Sequence, residues 1–385
     1  MNKSLPHVMI AIPLLQVGGT EMQTLHQVRA LVTGGFRVSV CCFYEHHPSM
    51  VAAMEEAGAR VILMGLDRAQ GYGHLLGRLR TLFREEQPRA VHVQYISPGL
   101  IPILAARLAL VPFVFATVHQ PGRTYGAKPH LLLRFAAALC DTFFCNSLSV
   151  ERSWFGTASL FTAGQSRLKG HCTIYNAVDV ETIARTSAQA PASAIKGELG
   201  VGDVPVIAVV GRLRWEKGQG VAIAALAEVA REYPTATLLM IGEGPDREAL
   251  ERQAQELGVA NRIVWRGRLD SGQLFRLLGG VDLLVVPSLF EGFGLAAAEG
   301  MAAGLPVVAS GVDGLAEVVE DGETGLLVPP NDSRALAGAI ASLLADPARR
   351  LQMGERALSR VGSFFSLERY NQQTLAFYGR VADGQ

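Results

Sequence analysis

Residues Val286–Ser310 read VPSLFEGFGLAAAEGMAAGLPVVAS, almost wholly apolar or small, yet they carry two glutamates, Glu291 and Glu299, eight positions apart. The run DLLVVPSLF has the form of a buried strand, EGFG of a turn, LAAAEGMAAG of a helix and LPVVAS of a second strand. A helix apolar on nearly every face is a buried one, and an unpaired carboxylate inside it costs several kcal/mol. Glu299 is therefore expected to meet a ligand from the second turn of that helix. Glu291 stands just before the helix, at its positive end, where a carboxylate serves equally as a plain charge partner or as a second ligand group. Vicinal sugar hydroxyls suit both residues, because a carboxylate accepts two hydrogen bonds at once.

The strand–helix–strand unit repeats along the chain. HVMIAIP, RVSVCCFY, RVILMG, AVHVQY, PFVFATV, TFFCN and CTIYN read as strands in the first half, and PVIAVVG, ATLLMIG, RIVWRG, DLLVVP and LPVVAS in the second. Amphipathic segments such as TEMQTLHQVRALVTGG separate them. Continuous rather than alternating apolar strands imply parallel sheets covered on both faces. The expected fold is α/β: two Rossmann-like, doubly wound parallel sheets facing a central cleft, with ligands at the carboxyl ends of the strands. The boundary is set near residue 180, where VETIARTSAQAPASAIKGELGVG shows no strand pattern and reads as a hinge. Residues 1–180 form the first domain and 181–364 the second; beyond TGLLVPPND the pattern is purely helical, and a last helix from about 365 to 385 is expected to return to the first domain.

Composition narrows the function classes. The 385 residues carry 35 basic and 35 acidic side chains, so no general field favours nucleic acid. Five cysteines, an odd number and mostly inside apolar runs, suit reduced core thiols in a cytosolic protein, and none has a zinc-ligand spacing. The first apolar run is broken by Pro13 and glycines, which excludes it as a spanning helix.

The strand ends carry the chemistry. Gly18 and Gly19 follow the first strand and precede a helix whose amides point back at the turn, a place for an anion or an ordinary turn. Neither G-x-G-x-x-G at that turn nor G-x-x-x-x-G-K-[ST] anywhere is present. In VIAVVGRLRWEKGQG, Arg212 and Lys217 leave a strand end together, as a diphosphate clamp or as two solvated cations.

Taken together, GGTE, HQ, CNS, YNAVD, GRLRWEKG, IGEGP and above all SLFEGFGLAAAEGMAAGLPVVAS resemble the retaining glycosyltransferases of the glycogen-synthase-like family four group, with the GT-B fold. The resemblance covers nearly the whole chain, and its E-x7-E element is the specific part. It implies that Glu299 holds the ribose of a nucleotide-sugar donor and Glu291 a hydroxyl of the transferred sugar. Arg212 and Lys217 would grip the diphosphate, assisted by the backbone amides of Phe293, Gly294 and Leu295. Gly18 and Gly19 would lie toward the donor phosphate, His119 beside the donor sugar, and Arg268 and Leu269 near the base. Asp270 would touch the base or cap a helix.

The same resemblance implies a metal-free reaction, and no two aspartates stand two residues apart as a metal-binding D-x-D would require. The leaving diphosphate would be stabilised by fixed charges, with same-face attack and no glycosidase-like carboxylate pair. Thr20, Gln120 and Ala177 depart from the residues common in the family; Gln120 removes the aspartate that would support His119. Two rivals keep the fold: a nucleotide-sugar epimerase, and a non-catalytic subunit supporting a partner transferase. The presence of Glu291, Arg212 and Lys217 disfavours the second.

No cofactor is expected beyond the donor substrate, with a UDP-sugar favoured and GDP-mannose next. The acceptor is read as lipid-linked or a growing polysaccharide of the bacterial cell surface, at the inner face of the membrane. GYGHLLGRLRTLFREEQP, with Arg78, Arg80 and Arg84, and KPHLLLRFAAAL are basic and leucine-rich; the first reads as a bilayer contact or as an ordinary sheet-covering helix.

Overall fold

The computed structural model describes residues 5–95, 99–163 and 169–383. The chain divides into two compact units, residues 1–176 with 368–385, and residues 177–367.

The first unit holds β1 (His7–Ile12), β2 (Arg37–Cys42), β3 (Arg60–Leu63), β4 (Ala90–Tyr95), β5 (Phe113–Val118), β6 (Thr142–Cys145) and β7 (Gly170–Thr173). They form one parallel sheet in the order β3-β2-β1-β4-β5-β6-β7. All six residues of β1 are buried, because alternate side chains enter different cores. Met9, Ala11 and Cys41 pack on one face with Leu75, Leu79 and Phe83. Val8, Ile10 and Ile12 pack on the other with Phe115, Phe144 and the end of the chain. The helix Leu367–Asp383 closes that second face, where Phe377 meets Phe144 and Phe115 edge to face at 4.7 and 4.9 Å.

The second unit holds β8 (Val206–Val210), β9 (Thr237–Ile241), β10 (Ile263–Gly267), β11 (Leu283–Val286), β12 (Val307–Ser310) and β13 (Gly325–Val328). Its parallel order is β10-β9-β8-β11-β12-β13. In both sheets the order reverses beside the first strand, between β1 and β4 and between β8 and β11.

Two sequence expectations change, and one alternative left open by the sequence is decided. GLLV, absent from the expected strands, is β13, pairing with β12 from Val307↔Gly325 to Ser310↔Val328; at four residues it is too short for periodicity to mark. The segment read as a hinge is two helices, Val180–Ser187 and Ala192–Leu199, the first capped by Asp179. They are docked on the second unit: Lys196 is buried and donates to Asp282 at 2.9 Å. In the helix Gly71–Glu86, Leu75, Leu79 and Phe83 belong to the core while Arg78, Arg80 and Arg84 are exposed, so this is a sheet-covering helix. In the helix Ala127–Leu139, by contrast, Leu131 and Phe135 are 72% and 54% exposed, with Leu132, Lys128 and Arg134 also exposed.

All five cysteines are free and buried. Burial pushes Cys42 up to about 11 and Cys140 and Cys172 up to about 12, so they stay thiols. No described helix is long and apolar enough to cross a membrane.

Candidate functional site

The reversal between β8 and β11 leaves two loops side by side at the carboxyl end of the second sheet, where open α/β sheets bind ligands. The β8 loop runs through Arg212 and a short turn, Trp215–Lys217, to Gly218. Gly218 has φ +68, and a Cβ there would stand 2.0 Å from the carbonyl oxygen of Pro287, so only glycine lets the two backbones touch. Leu289 N donates to Glu216 O at 2.9 Å and continues the seam. The seam delivers two charges to one place: Lys217 Nζ donates to Glu291 Oε2 at 2.6 Å, with the side chains 33% and 18% exposed. Arg212 leaves the end of β8 exposed, its carbonyl held by Gln219 Nε2 at 2.8 Å.

The backbone of Glu291 is fixed from β12. Its N–H donates to Asp313 Oδ2 at 3.3 Å and its carbonyl accepts from Gly314 N at 3.2 Å. Asp313 was not among the expected site residues; the only local signal was its place before a glycine.

The helix Leu295–Ala302 starts at Gly294, which has φ +103 and offers no side-chain cap. A Cβ at Gly294 would lie 2.5 Å from Leu315 Cδ2. The first-turn amides are thus left to other acceptors. Phe293 is 1% exposed and stacks edge to face on Phe365 at 5.3 Å, so its contribution to a site is backbone only. The helix is not buried all round: Ala297, Ala298, Gly300, Met301 and Ala302 are buried, but Leu295, Ala296 and Glu299 line a half-open face. Burial around the Glu299 carboxyl pushes its pKa up from 4.5 to about 7.

Arg268 and Leu269 follow β10, two strands from β8 and so about 10 Å across the sheet from the Lys217 loop. Asp270 is a helix cap: its Oδ1 accepts from Gln273 N at 2.8 Å, and Gln273 Oε1 accepts from Asp270 N at 3.3 Å.

In the first unit, Gly18 is extended, with φ −163 and ψ 174, and Gly19 opens the helix Gly19–Thr33. Neither has a positive φ, and Gly18 again brings no side-chain cap. His119 follows β5, and its Nε2 lies 2.8 Å from Gln94 Oε1. Burial lowers its pKa to about 4. Gln120 turns elsewhere, accepting from the Tyr125 hydroxyl at 2.6 Å. The support for His119 is therefore Gln94, a polar residue inside the apolar strand AVHVQY that the sequence reading passed over. No three His, Cys, Asp or Glu side chains converge as a metal site among the described residues.

A family model described as glycosyl transferases group 1 matches residues 193–360, and one described as glycosyltransferase family 4 matches residues 17–157. A glycogen synthase of Mycobacterium tuberculosis is 30% identical over 97% of this chain and 94% of its own length. Among solved structures, a sucrose-phosphate synthase from Thermosynechococcus elongatus superposes with a TM-score of 0.80 at 22% identity, covering 99% of this chain and 100% of the other. Anabaena HepE in complex with UDP-glucose gives 0.78 at 23% identity, covering 95% and 98%.

Proposed function

The chain belongs to the family four glycosyltransferases with the GT-B fold, and from that premise we propose that it moves a sugar from a nucleotide-sugar donor, with retention and without a metal ion, to a lipid-linked or polysaccharide acceptor. The observation that carries the reading is the Lys217–Glu291 pair at the strand reversal of the second sheet. In this reading Arg212 and Lys217 take the donor diphosphate, and the uncapped amides behind Gly294 face the same charge. Their fixed dipoles stabilise the leaving group without reorganisation. Glu299 accepts from the ribose hydroxyls and Glu291 from a hydroxyl of the sugar. The departing phosphate takes the acceptor proton, so no general base is needed.

A UDP-sugar is the first choice, supported by the likeness to HepE, which was solved with UDP-glucose; GDP-mannose is the second. Calorimetric titration with UDP, GDP and ADP, followed by hydrolysis of the matching nucleotide sugars, tests the reading. Binding of UDP with turnover of a UDP-sugar is expected. No binding of any of the three in the folded protein would remove it.

The acceptor reading is supported by the exposed face of the helix Ala127–Leu139, where Leu131, Leu132 and Phe135 stand with Lys128 and Arg134. Apolar side chains among cations suit the surface of an anionic bilayer.

A further inference from the structure

Six polar side chains of the first unit, four of them buried, lie in one hydrogen-bonded chain. His119 Nε2 is 2.8 Å from Gln94 Oε1, and Gln94 Nε2 donates to Gln27 Oε1 at 2.8 Å. Gln27 Nε2 reaches the Tyr378 hydroxyl at 3.1 Å and lies 3.0 Å from His92 Nδ1. The Tyr378 hydroxyl is 2.5 Å from His92 Nδ1, and His92 Nε2 is 2.6 Å from Thr117 Oγ1. Among the described residues, no carboxylate or cation lines the cavity these groups surround.

We infer that Gln94 is a positioning residue: it holds His119 as the neutral Nε2–H tautomer, so that His119 offers its Nδ1 only as a hydrogen-bond acceptor. A carboxamide has one donor end and one acceptor end. The donor end of Gln94 is spent on Gln27, whose own donor end is spent on Tyr378 and His92. The end that meets His119 is therefore an oxygen, which requires the hydrogen on Nε2. A neutral ring carries a single N–H, so Nδ1 keeps a lone pair. Reversing the chain would require both amides to turn over together.

The other end of the ring agrees. Among the described residues His119 Nδ1 and Asn146 Oδ1 are buried without a partner, while Asn146 Nδ2 donates to the His119 carbonyl at 3.2 Å. Two lone pairs tied through one backbone carbonyl accept from a hydroxyl and repel a phosphate oxygen. Protonation of His119 would break this pattern, and burial opposes it, holding His119 at about 4 and His92 at about 3. His119 is then neither a general acid nor a counter-charge for the diphosphate. The inference rests on His119 serving the transfer reaction, but the tautomer itself is read without it.

The test is nitrogen NMR of the ligand-free full chain labelled at histidine, with His119 and His92 assigned by single substitution to Gln. His119 should show a protonated Nε2 and an unprotonated Nδ1, constant from about pH 5 to about pH 8. Gln94→Leu should divide the signal between tautomers and lower kcat more than it raises KM for the donor. Gln94→Glu keeps an acceptor in place, so the tautomer should survive while the ring pKa rises by about one unit or more, and turnover should become pH-dependent. If Gln94→Leu does not fold, Gln94→Glu and Tyr378→Phe carry the test. A protonated Nδ1 in the unaltered chain, titration of His119 between those pH limits, or a pKa unmoved in Gln94→Glu would overturn the inference. A correct tautomer in a chain that turns over no nucleotide sugar would overturn the functional reading and leave this one intact.

Discussion

Lys217 and Glu291, which the sequence assigned to different parts of a donor, are ion-paired to each other at 2.6 Å, across 74 residues of chain. Each is the neighbour that keeps the other's charge tolerable in a half-buried place. In the proposed reading, a diphosphate arriving at Lys217 would meet an ammonium already oriented by a carboxylate.

The pairing makes the two residues energetically coupled. Lys217→Ala should lower transfer by about a hundredfold or more, the scale for losing one preorganised charge partner, because it leaves Glu291 unneutralised beside the phosphates. Glu291→Ala should reduce turnover more than nucleotide affinity. The double variant should lose less than the two single losses combined. A strictly additive double-mutant cycle in steady-state transfer would show that the pair is incidental.

Glu299 should make nucleotide binding pH-dependent. Its folded pKa, about 7, lies above the ordinary 4.5. In the proposed role the ionised form accepts from ribose hydroxyls, so affinity should weaken as pH falls below about 7, by up to tenfold per unit, and Glu299→Gln should flatten the profile while weakening binding at pH 8. The sign for folding is opposite. A raised acid pKa gives stability that is fully present below the unfolded value and lost as pH rises through 7. Glu299→Gln should therefore melt higher than the parent at about pH 8, with a smaller gap at pH 5. Calorimetric titration and thermal melts at both pH values check the two signs.

Arg212 is exposed at the end of β8, so Arg212→Ala should leave the melting temperature nearly unchanged while lowering transfer by about a hundredfold or more. Chelation with EDTA should change little. Activity lost on chelation and restored by magnesium or manganese would contradict the metal-free reading.

For the bilayer contact, the exposed apolar residues decide which helix matters. Leu131→Ser with Phe135→Ser should strongly reduce sedimentation with anionic vesicles, since each large apolar side chain contributes about 1.5–3 kcal/mol when buried. Replacing Arg78, Arg80 and Arg84 together by Gln should have a smaller effect, seen at low salt and screened at about 0.15 M. Nucleotide affinity should not move in either variant. No sedimentation of the unaltered protein at low salt, with full activity on a small soluble acceptor, would remove the membrane part.

Much of the fold was legible because its signals are local. Each core strand is a contiguous apolar run, as in HVMIAIP, and a strand buried on both faces cannot look otherwise. Where the local signal was short or conditional, the reading slipped: GLLV is a strand only because β12 lies beside it, and the segment after YNAVD is helical because Lys196 and Ile195 find partners on the second unit. The E-x7-E element named two carboxylates at one helix start, yet the half-open face carrying Glu299 emerges only once Ala297, Ala298 and Met301 have packed.

By itself the sequence determined two parallel-sheet units, the strand ends that carry Arg212, Lys217, Glu291 and His119, and the helix that carries Glu299, because periodicity and turn residues act over a few positions. The tertiary structure alone decided which of these residues touch. Lys217 meets Glu291 because β8 lies next to β11, and His92 meets Tyr378, 286 residues away, because the terminal helix closes the first sheet. Strand order and helix docking are set by how whole faces pack, and that information is not present in any one stretch of chain.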